Sequence, residues 1–438
     1  MKKVDILFLY ETRVRELENI CLVKSELEKR GFSVAFQNTW NSLGIKKFPY
    51  NAKVVVTHGM YHDGIYYFVK SLVGNVPKVV NLQWEQIGTK QSEEDDTSRY
   101  LLKGVAKQCM NICWGEQTYD RLINKCGFDQ KHLRKTGQIT LDFCRPELRK
   151  YYLSKNEIQD RYNISKELNI NLFISSFSYV NLPKSIETQS DIAEKQDFVN
   201  FSRSSFNSVL EWFDKMLNKF PKEVVIYRPH PAEANNPVLL EMQEKYKGRF
   251  FVIGELSVKQ WIAVADKVYT WYSTSAAEVH AFGVPFAILR PVKIPEHLEV
   301  SLYEGAEFIT TYEEFEKTIN EKLNSPLSEQ VFNRFYYRDE QFSFVKVADA
   351  IEDVFKDDSY LIKMEEQKVC SPCFIKRCAH NVLTFIKSCL PKKSKLLEKY
   401  RKPEFDEYTL KLRKNNYASQ EEIKQIQEKL KNILENKQ

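Results

Sequence analysis

The stretch Ile226-Tyr227-Arg228-Pro229-His230-Pro231 decides how this chain is read. Val224, Val225, Ile226 and Tyr227 form a short apolar run rich in β-formers, and Pro229 and Pro231 forbid its continuation. The run reads as a buried strand with a stiff, cationic exit. Thr270-Trp271-Tyr272-Ser273-Thr274-Ser275-Ala276-Ala277-Glu278 echoes it further along. There Val264 to Thr270 forms a second strand that empties into a hydroxyl-rich turn, and a helix begins at Ala276. Ligands of open α/β sheets bind just beyond the carboxyl ends of strands. A helix start offers unpaired N–H donors and a positive dipole end, so these two exits together suit a phosphate group.

Working outward, the same grammar covers most of the chain. Asn171-Leu172-Phe173-Ile174-Ser175-Ser176-Phe177-Ser178 is another strand with a tight serine turn, where backbone amides can face phosphate oxygens. Phe250 to Ile253 and Pro285 to Leu289 are further strands, and a helix from Phe342 to Phe355 is expected to end this unit. Before it, Val4 to Tyr10 reads as a buried parallel strand. Ile20, Val23 and Leu27 then share one helical face, and Lys29-Arg30-Gly31 stops that helix. Phe32–Phe36, Ala52–Thr57, Lys78–Leu82, Asn111–Glu116 and a turn at His132–Gly137 continue the alternation, with Gln91 to Asp96 expected as a polar loop. The fold class is therefore α/β, with two Rossmann-like domains and a cleft between them. The expected boundaries are 1–150 for an N-terminal acceptor domain, 165–358 for a nucleotide-donor domain and 359–438 for a basic helical tail.

Composition agrees with this division. A chain of 438 residues has room for two domains and an appendage. The net charge of +6 is too small to force a nucleic-acid reading, and no aromatic-interleaved basic sheet face is evident, so no nucleic-acid partner is expected. Neither a secretory leader nor a long apolar span is legible, so a cytoplasmic location is expected, with nine cysteines as thiols. In the tail, Lys387, Lys392, Lys393, Lys395, Lys399, Arg401 and Lys402 face one acid, Glu398. With Phe374, Leu383, Phe385 and Ile386 they fit peripheral attachment to the inner membrane; a solvated helical appendage is the other reading. A helix from Ser419 to Lys437 closes the chain. Cys370, Cys373, Cys378 and Cys389 have no common zinc spacing, and no metal site is predicted.

Two Rossmann-like units in tandem, with nucleotide motifs in the second, resemble the GT-B glycosyltransferases. Arg228-Pro229-His230-Pro231 is similar to the His-Pro motif of bacterial transferases of CMP-activated sugars (Kdo or sialic acid) and of CDP-glycerol glycerophosphotransferases. Tyr272-Ser273-Thr274-Ser275 sits where those enzymes carry a Ser/Thr motif. Tyr10-Glu11, Arg15-Glu16-Leu17-Glu18 and Asn81-Leu82-Gln83-Trp84-Glu85-Gln86 resemble bacterial surface carbohydrate (capsule or lipopolysaccharide) biosynthesis proteins. The chain departs from the polymerases at Trp271, where they have Asp. The resemblance implies transfer of a sugar, best a CMP-activated one, to a glycan or lipid-linked acceptor without a resident cofactor. Transfer of an alditol phosphate from a CDP-linked donor and a non-catalytic membrane scaffold are the alternatives.

The residues can be given roles on that basis. His230, displayed on a stiff turn, would stabilise charge on a leaving phosphate. Arg228 offers a bidentate phosphate contact. Ser273, Thr274 and Ser275 offer hydroxyls and a helix start, Glu278 an acceptor for ribose hydroxyls, and Ser175 and Ser176 a second phosphate turn. Each also has a plain structural use as cap or turn residue. An inverting transfer needs a base on the acceptor side, at a strand end in the first domain. Glu11, directly after the first strand, and Glu85, beside Trp84, are the two candidates; His58 and Asp63 come after them.

Overall fold

The computed structural model describes residues 2–39, 50–95, 101–181, 196–230, 233, 236–364 and 416–435. The chain divides into two compact units. Met1–Gln86, Asp96–Ile139 and Tyr336–Gln438 form the first, and Ile87–Asp95 with Thr140–Phe335 form the second.

The first unit holds a six-stranded parallel sheet of β1 (Lys2–Tyr10), β2 (Val34–Asn38), β3 (Tyr50–Thr57), β4 (Val79–Asn81), β5 (Met110–Cys113) and β6 (Leu133–Lys135), in the order β2-β1-β3-β4-β5-β6. Ile6 to Tyr10 are all buried, as expected of a strand covered on both faces. The second unit repeats the plan. Strands β7 (Asn169–Ile174), β8 (Glu223–Arg228), β9 (Phe250–Val252), β10 (Lys267–Thr270), β11 (Phe286–Leu289) and β12 (Phe308–Ile309) lie in the order β12-β11-β10-β7-β8-β9, all parallel. Its core is aromatic: Phe173, Phe177, Phe213, Tyr269, Trp271 and Phe315 interlock, and Phe177 stacks on Trp271 at 4.6 Å.

Strand order matters more here than strand count. In the first sheet the chain leaves β1 toward β2, then returns to β1's other side as β3. In the second it leaves β7 toward β8 and β9, then returns as β10. Each reversal opens a crevice at the carboxyl edge, between the exits of β1 and β3 and between those of β7 and β10.

Three expectations change. The helix expected to end the second unit, Ser343–Lys356, belongs to the first. Its apolar stripe of Phe344, Val347, Ile351 and Val354 is buried there, Arg30 bonds Asp349 at 2.7 Å and Glu352 at 2.9 Å, and Phe32 meets Phe355 edge-on at 5.0 Å. An apolar stripe shows that a helix is packed but does not say on which sheet. Gln91 to Glu94 is not a loop but part of a short helix, Lys90–Glu94, because Thr89 and Ser92 complete a reciprocal cap. The boundary between units falls at Ile139 and Thr140, so the helix Lys155–Tyr162 lies wholly in the second.

The final helix, Gln420–Glu435, starts on a Ser419 cap that bonds Glu422 N–H at 3.1 Å. It packs on the first unit: Arg13 pairs with Glu422, Ala418 N–H donates to the Tyr10 hydroxyl at 3.1 Å, and Ile423 and Leu430 are buried. The Lys/Arg run, its apolar neighbours and the four tail cysteines lie outside the described residues. Among the described residues no helix is long and apolar enough to cross a membrane. Cys21, Cys109, Cys113, Cys126 and Cys144 are buried free thiols whose pKa is raised by desolvation, which suits packing and not nucleophilic chemistry.

Candidate active site

In the second unit every predicted donor-site residue lies at the carboxyl edge of the sheet, on the exits of β7, β8 and β10. The element joining them is β7, the strand between the other two. Ser175 faces one neighbour and Ser176 the other. The Ser176 hydroxyl accepts the Tyr272 N–H at 3.2 Å, spanning the β7/β10 crevice and anchoring the hydroxyl-rich turn. The Ser175 hydroxyl donates to Glu233 at 2.6 Å and lies 3.0 Å from the Tyr227 hydroxyl.

Glu233 ties the β8 exit down. It is fully buried, accepts the Tyr227 hydroxyl at 2.7 Å and accepts the His230 backbone N–H at 3.1 Å. Desolvation raises its carboxyl pKa, while bonds from Ser175, Tyr227 and the N–H groups of His230 and Phe177 pull the other way. The conformation of the His230 turn is thus set by a buried carboxylate three residues on. Pro231 lies outside the described residues, so the part of the stiffness expected from it is not described. The imidazole is partly buried, and desolvation lowers its pKa, favouring the neutral ring.

Arg228 is placed differently from its expected role. Its Nη1 donates to the Glu255 carbonyl at 2.8 Å and its Nη2 to the Leu256 carbonyl at 2.6 Å, and burial lowers its pKa to about 10. The guanidinium fastens the Glu255-Leu256 turn to the end of β8. On the β10 side, Ser275 N–H donates to the Ser273 hydroxyl at 3.3 Å, the Tyr303 hydroxyl donates to the Ser273 carbonyl at 2.7 Å, and Thr274 is exposed. Trp271 is a core residue with no solvent exposure.

Glu278 lies in the first turn of the helix Ala276–Phe282, and desolvation pushes its carboxyl up to about 7. In the unfolded chain it ionises near the ordinary carboxylate value, so the folded state binds the extra proton and loses stability as pH rises toward 7. Glu278→Gln should therefore leave the urea midpoint nearly unchanged at pH 5 and raise stability at pH 8 by on the order of 1–3 kcal/mol. A variant destabilised equally at both pH values would show that the carboxylate is held by favourable contacts.

In the first unit the exits of β1, β3 and β4 gather the base candidates. The Glu11 carboxylate lies 3.9 Å from His58 Nε2, across the β1/β3 crevice. Glu85 is paired with Arg15 at 3.2 Å, and Arg15 also bonds Glu16 at 3.0 Å. Glu16 is buried and accepts the N–H groups of Glu11 and Thr12 at 3.0 and 3.1 Å, which fixes the turn that displays Glu11. Glu11 thus sits at the switch point, while Glu85 already has a cation. Asp63 caps a different turn, accepting Val105 N–H at 2.7 Å.

Four contributors escaped the sequence reading: Glu233, Glu16, Gln83 and the buried Arg290–Glu299 pair. Glu233 had a signal, an acid three residues after His230. Glu16 acts on N–H groups four and five residues before it, which a strand-exit pattern does not mark, and Gln83 and the Arg290–Glu299 pair stand out only once their burial is known.

No protein-family model matches the chain, and no curated protein matches it. Solved structures do. A variant of the wall teichoic acid polymerase TagF aligns over 80% of this chain and 89% of its own, at 10% identity and a TM-score of 0.55. A second TagF variant aligns over the same shares, at 9% identity and a TM-score of 0.54. A putative UDP-N-acetylglucosamine 2-epimerase from Listeria monocytogenes aligns over 81% of this chain and 97% of its own, at 13% identity and a TM-score of 0.48. Identities this low speak for architecture and not for chemistry. The chain has a GT-B-like α/β fold, two Rossmann-like units each built on a six-stranded parallel sheet.

Proposed function

We propose that the chain is a glycosyltransferase of cell-surface polysaccharide assembly. It takes a sugar from a nucleotide-activated donor, a CMP-sugar in the first instance, and passes it to a glycan or lipid-linked acceptor at the inner face of the membrane. The observation that carries the reading is the joined carboxyl edge of the second sheet. Ser176 bridges the β7/β10 crevice and Glu233 locks the His230 turn to β7, so the turn that carries the imidazole and the turn that carries the hydroxyls are both tied to the exit of one strand. His230 would donate a hydrogen bond to the leaving phosphate, and Ser273, Thr274 and Ser275 would surround it. Glu278 would hold the ribose. Arg228 would act by bracing the turn, given its carbonyl partners. Glu11 is the favoured base, with Glu85 second. The basic tail would bring the enzyme to its lipid-linked acceptor.

The alternative donor is a CDP-linked alditol, with phosphate carried into the product. What favours it is the fold likeness to TagF, a wall teichoic acid polymerase. Thermal-shift titration with CMP, CDP, UDP and GDP tests both readings, since a ligand selective for the folded state raises its stability. The expected result is preference for a cytidine nucleotide, lost in His230→Ala. Because burial favours the neutral imidazole before a nucleotide binds, an anion bound against it should draw in a proton near pH 6.5. Calorimetry in buffers of different ionisation enthalpy reads that uptake. No stabilisation by any of the four nucleotides, and no consumption of any activated donor, would overturn the proposal.

A further inference from the structure

The exits of β3 and β4 contain polar atoms that the fold buries without giving them partners. Gln83 lies two residues past the end of β4 and is fully buried, and neither its amide oxygen nor its amide nitrogen has a hydrogen-bond partner among the described residues. The same holds for Trp84 Nε1 and His58 Nδ1. The two turns touch, because Trp84 N–H donates to the His58 carbonyl at 3.1 Å. Gln83 also sits at φ 44°, a left-handed conformation that is strained for glutamine.

This is not how the neighbourhood treats buried amides in general. Gln86 donates to the Ile112 carbonyl at 2.7 Å and accepts Trp114 N–H at 2.9 Å. Asn81 accepts Met60 N–H at 2.9 Å and donates to Asn111 at 2.8 Å. Gln83, one turn away, leaves both amide atoms unpaired. Buried orphans and left-handed non-glycine residues persist where a ligand or a moving turn requires them.

Charge narrows the ligand. Among the described residues, three carboxylates, Glu11, Glu16 and Glu85, stand around this edge against two cations, Arg15 and Arg121, and Arg121 is already engaged by the Gln86 carbonyl at 3.0 Å, a balance that disfavours an anion. An amide that needs both a donor and an acceptor matches a hydroxyl group, which is both. An indole N–H and an imidazole nitrogen add one-sided partners of the same kind. We propose that the β3 and β4 exits bind an uncharged sugar ring, with Gln83 as the specificity-determining residue that reads a hydroxyl. The amide is sealed in the unliganded fold, so a ligand reaches it as the Gln83 turn rotates, and relief of the left-handed backbone favours that rotation. Identifying this ring as the acceptor rests on the transferase reading; the binding itself does not.

The test uses Gln83→Met, which keeps size and removes the amide. Unliganded protein should melt about 2 °C or more higher, because an orphaned polar group is replaced by an apolar one. Saturation-transfer NMR with methyl glycosides of glucose, galactose and N-acetylglucosamine, with glycerol as control, should show a signal in the wild type that the variant loses. In turnover assays the acceptor KM should rise about tenfold, with a smaller change in kcat. Gln83→Asn keeps an amide and tolerates the left-handed backbone, so it should stay folded but lose the glycoside signal through shorter reach. A lower melting point or failure to fold in Gln83→Met would show that the amide is structural and overturn the proposal. So would the absence of any glycoside signal that depends on Gln83. Glycoside binding without consumption of any donor would sink the transferase reading and leave this one standing.

Discussion

Glu299→Ala should cost the second unit about 3–5 kcal/mol, among the largest effects expected of any single change in this chain. Arg290 leaves the end of β11 into an almost sealed site, where it is 3% exposed. Its Nε donates to Glu299 at 3.0 Å and its Nη2 at 2.6 Å, a two-point fork. Rings surround the guanidinium: Phe308 at 5.0 Å, Tyr272 at 5.5 Å, and Trp271 and Tyr303 at 5.7 Å. Removing the carboxylate leaves a buried cation with nothing to neutralise it. The damage should reach the donor edge, because Tyr303 bonds the Ser273 carbonyl and Tyr272 bonds the Leu298 carbonyl on the same loop. Arg290→Lys should not substitute, since an ammonium has neither the fork nor the flat face. Replacing both partners at once, Arg290→Met with Glu299→Leu, should recover most of the loss. Urea unfolding followed by tryptophan fluorescence measures all three. A Glu299→Ala protein within 1 kcal/mol of wild type would mean the guanidinium finds water or another acceptor.

Glu233→Ala should reduce stability by about 3 kcal/mol and weaken nucleotide binding at least tenfold. The carboxylate is the shared acceptor for the Ser175 hydroxyl, the Tyr227 hydroxyl and the His230 N–H, and the two hydroxyl bonds are buried. Deleting it takes the acceptor from the His230 N–H, leaves the Ser175 and Tyr227 hydroxyls to bond each other, and releases the His230 turn. Glu233→Gln separates these effects. The amide fills the same volume but replaces one accepting oxygen with a donor, so a hydroxyl that donated must turn and accept, and the network loses one acceptor. It should cost about 1–2 kcal/mol and still weaken nucleotide binding. Isothermal titration with the nucleotide preferred in the thermal-shift screen reads the affinity. If Glu233→Gln binds that nucleotide as wild type does, the turn is held by other means and the edge is less unified than its hydrogen bonds suggest.

Much of the architecture was legible from residue order. Buried parallel strands announce themselves as unbroken apolar runs, and Val4–Tyr10, Ala52–Thr57 and Val224–Tyr227 all form strands. Strand ends were less legible: the expected strand at Val264 begins only at Lys267, because Trp261 accepts bonds from both Val264 and Ala265 and prolongs the preceding turn. The helix Ser343–Lys356 shows the deeper limit, since its stripe required a sheet but named none.

The site divides along the same line. Residue types at strand exits are local information, so Ser175, Ser176, His230, Ser273, Thr274, Ser275, Glu11 and Glu85 could be selected from the sequence. Arg228 was selected for a phosphate and is engaged by carbonyls, because the turn at Glu255-Leu256 comes back to meet it. Glu233 and Glu16 act by accepting backbone N–H groups of the turns that display His230 and Glu11, a use that residue type alone does not reveal. Gln83 entered only as part of the Asn81–Gln86 resemblance and was given no role.

By itself, the order of apolar runs and chain breakers determined that this protein is two parallel α/β units, since strand and helix formation depend on near neighbours. Which strands lie side by side, where each sheet reverses direction, which sheet takes the last helix of the alternating pattern, and which buried polar groups find partners were decided by the tertiary structure alone. Those outcomes depend on pairings between residues far apart in the chain, and no local pattern encodes a pairing until both surfaces exist.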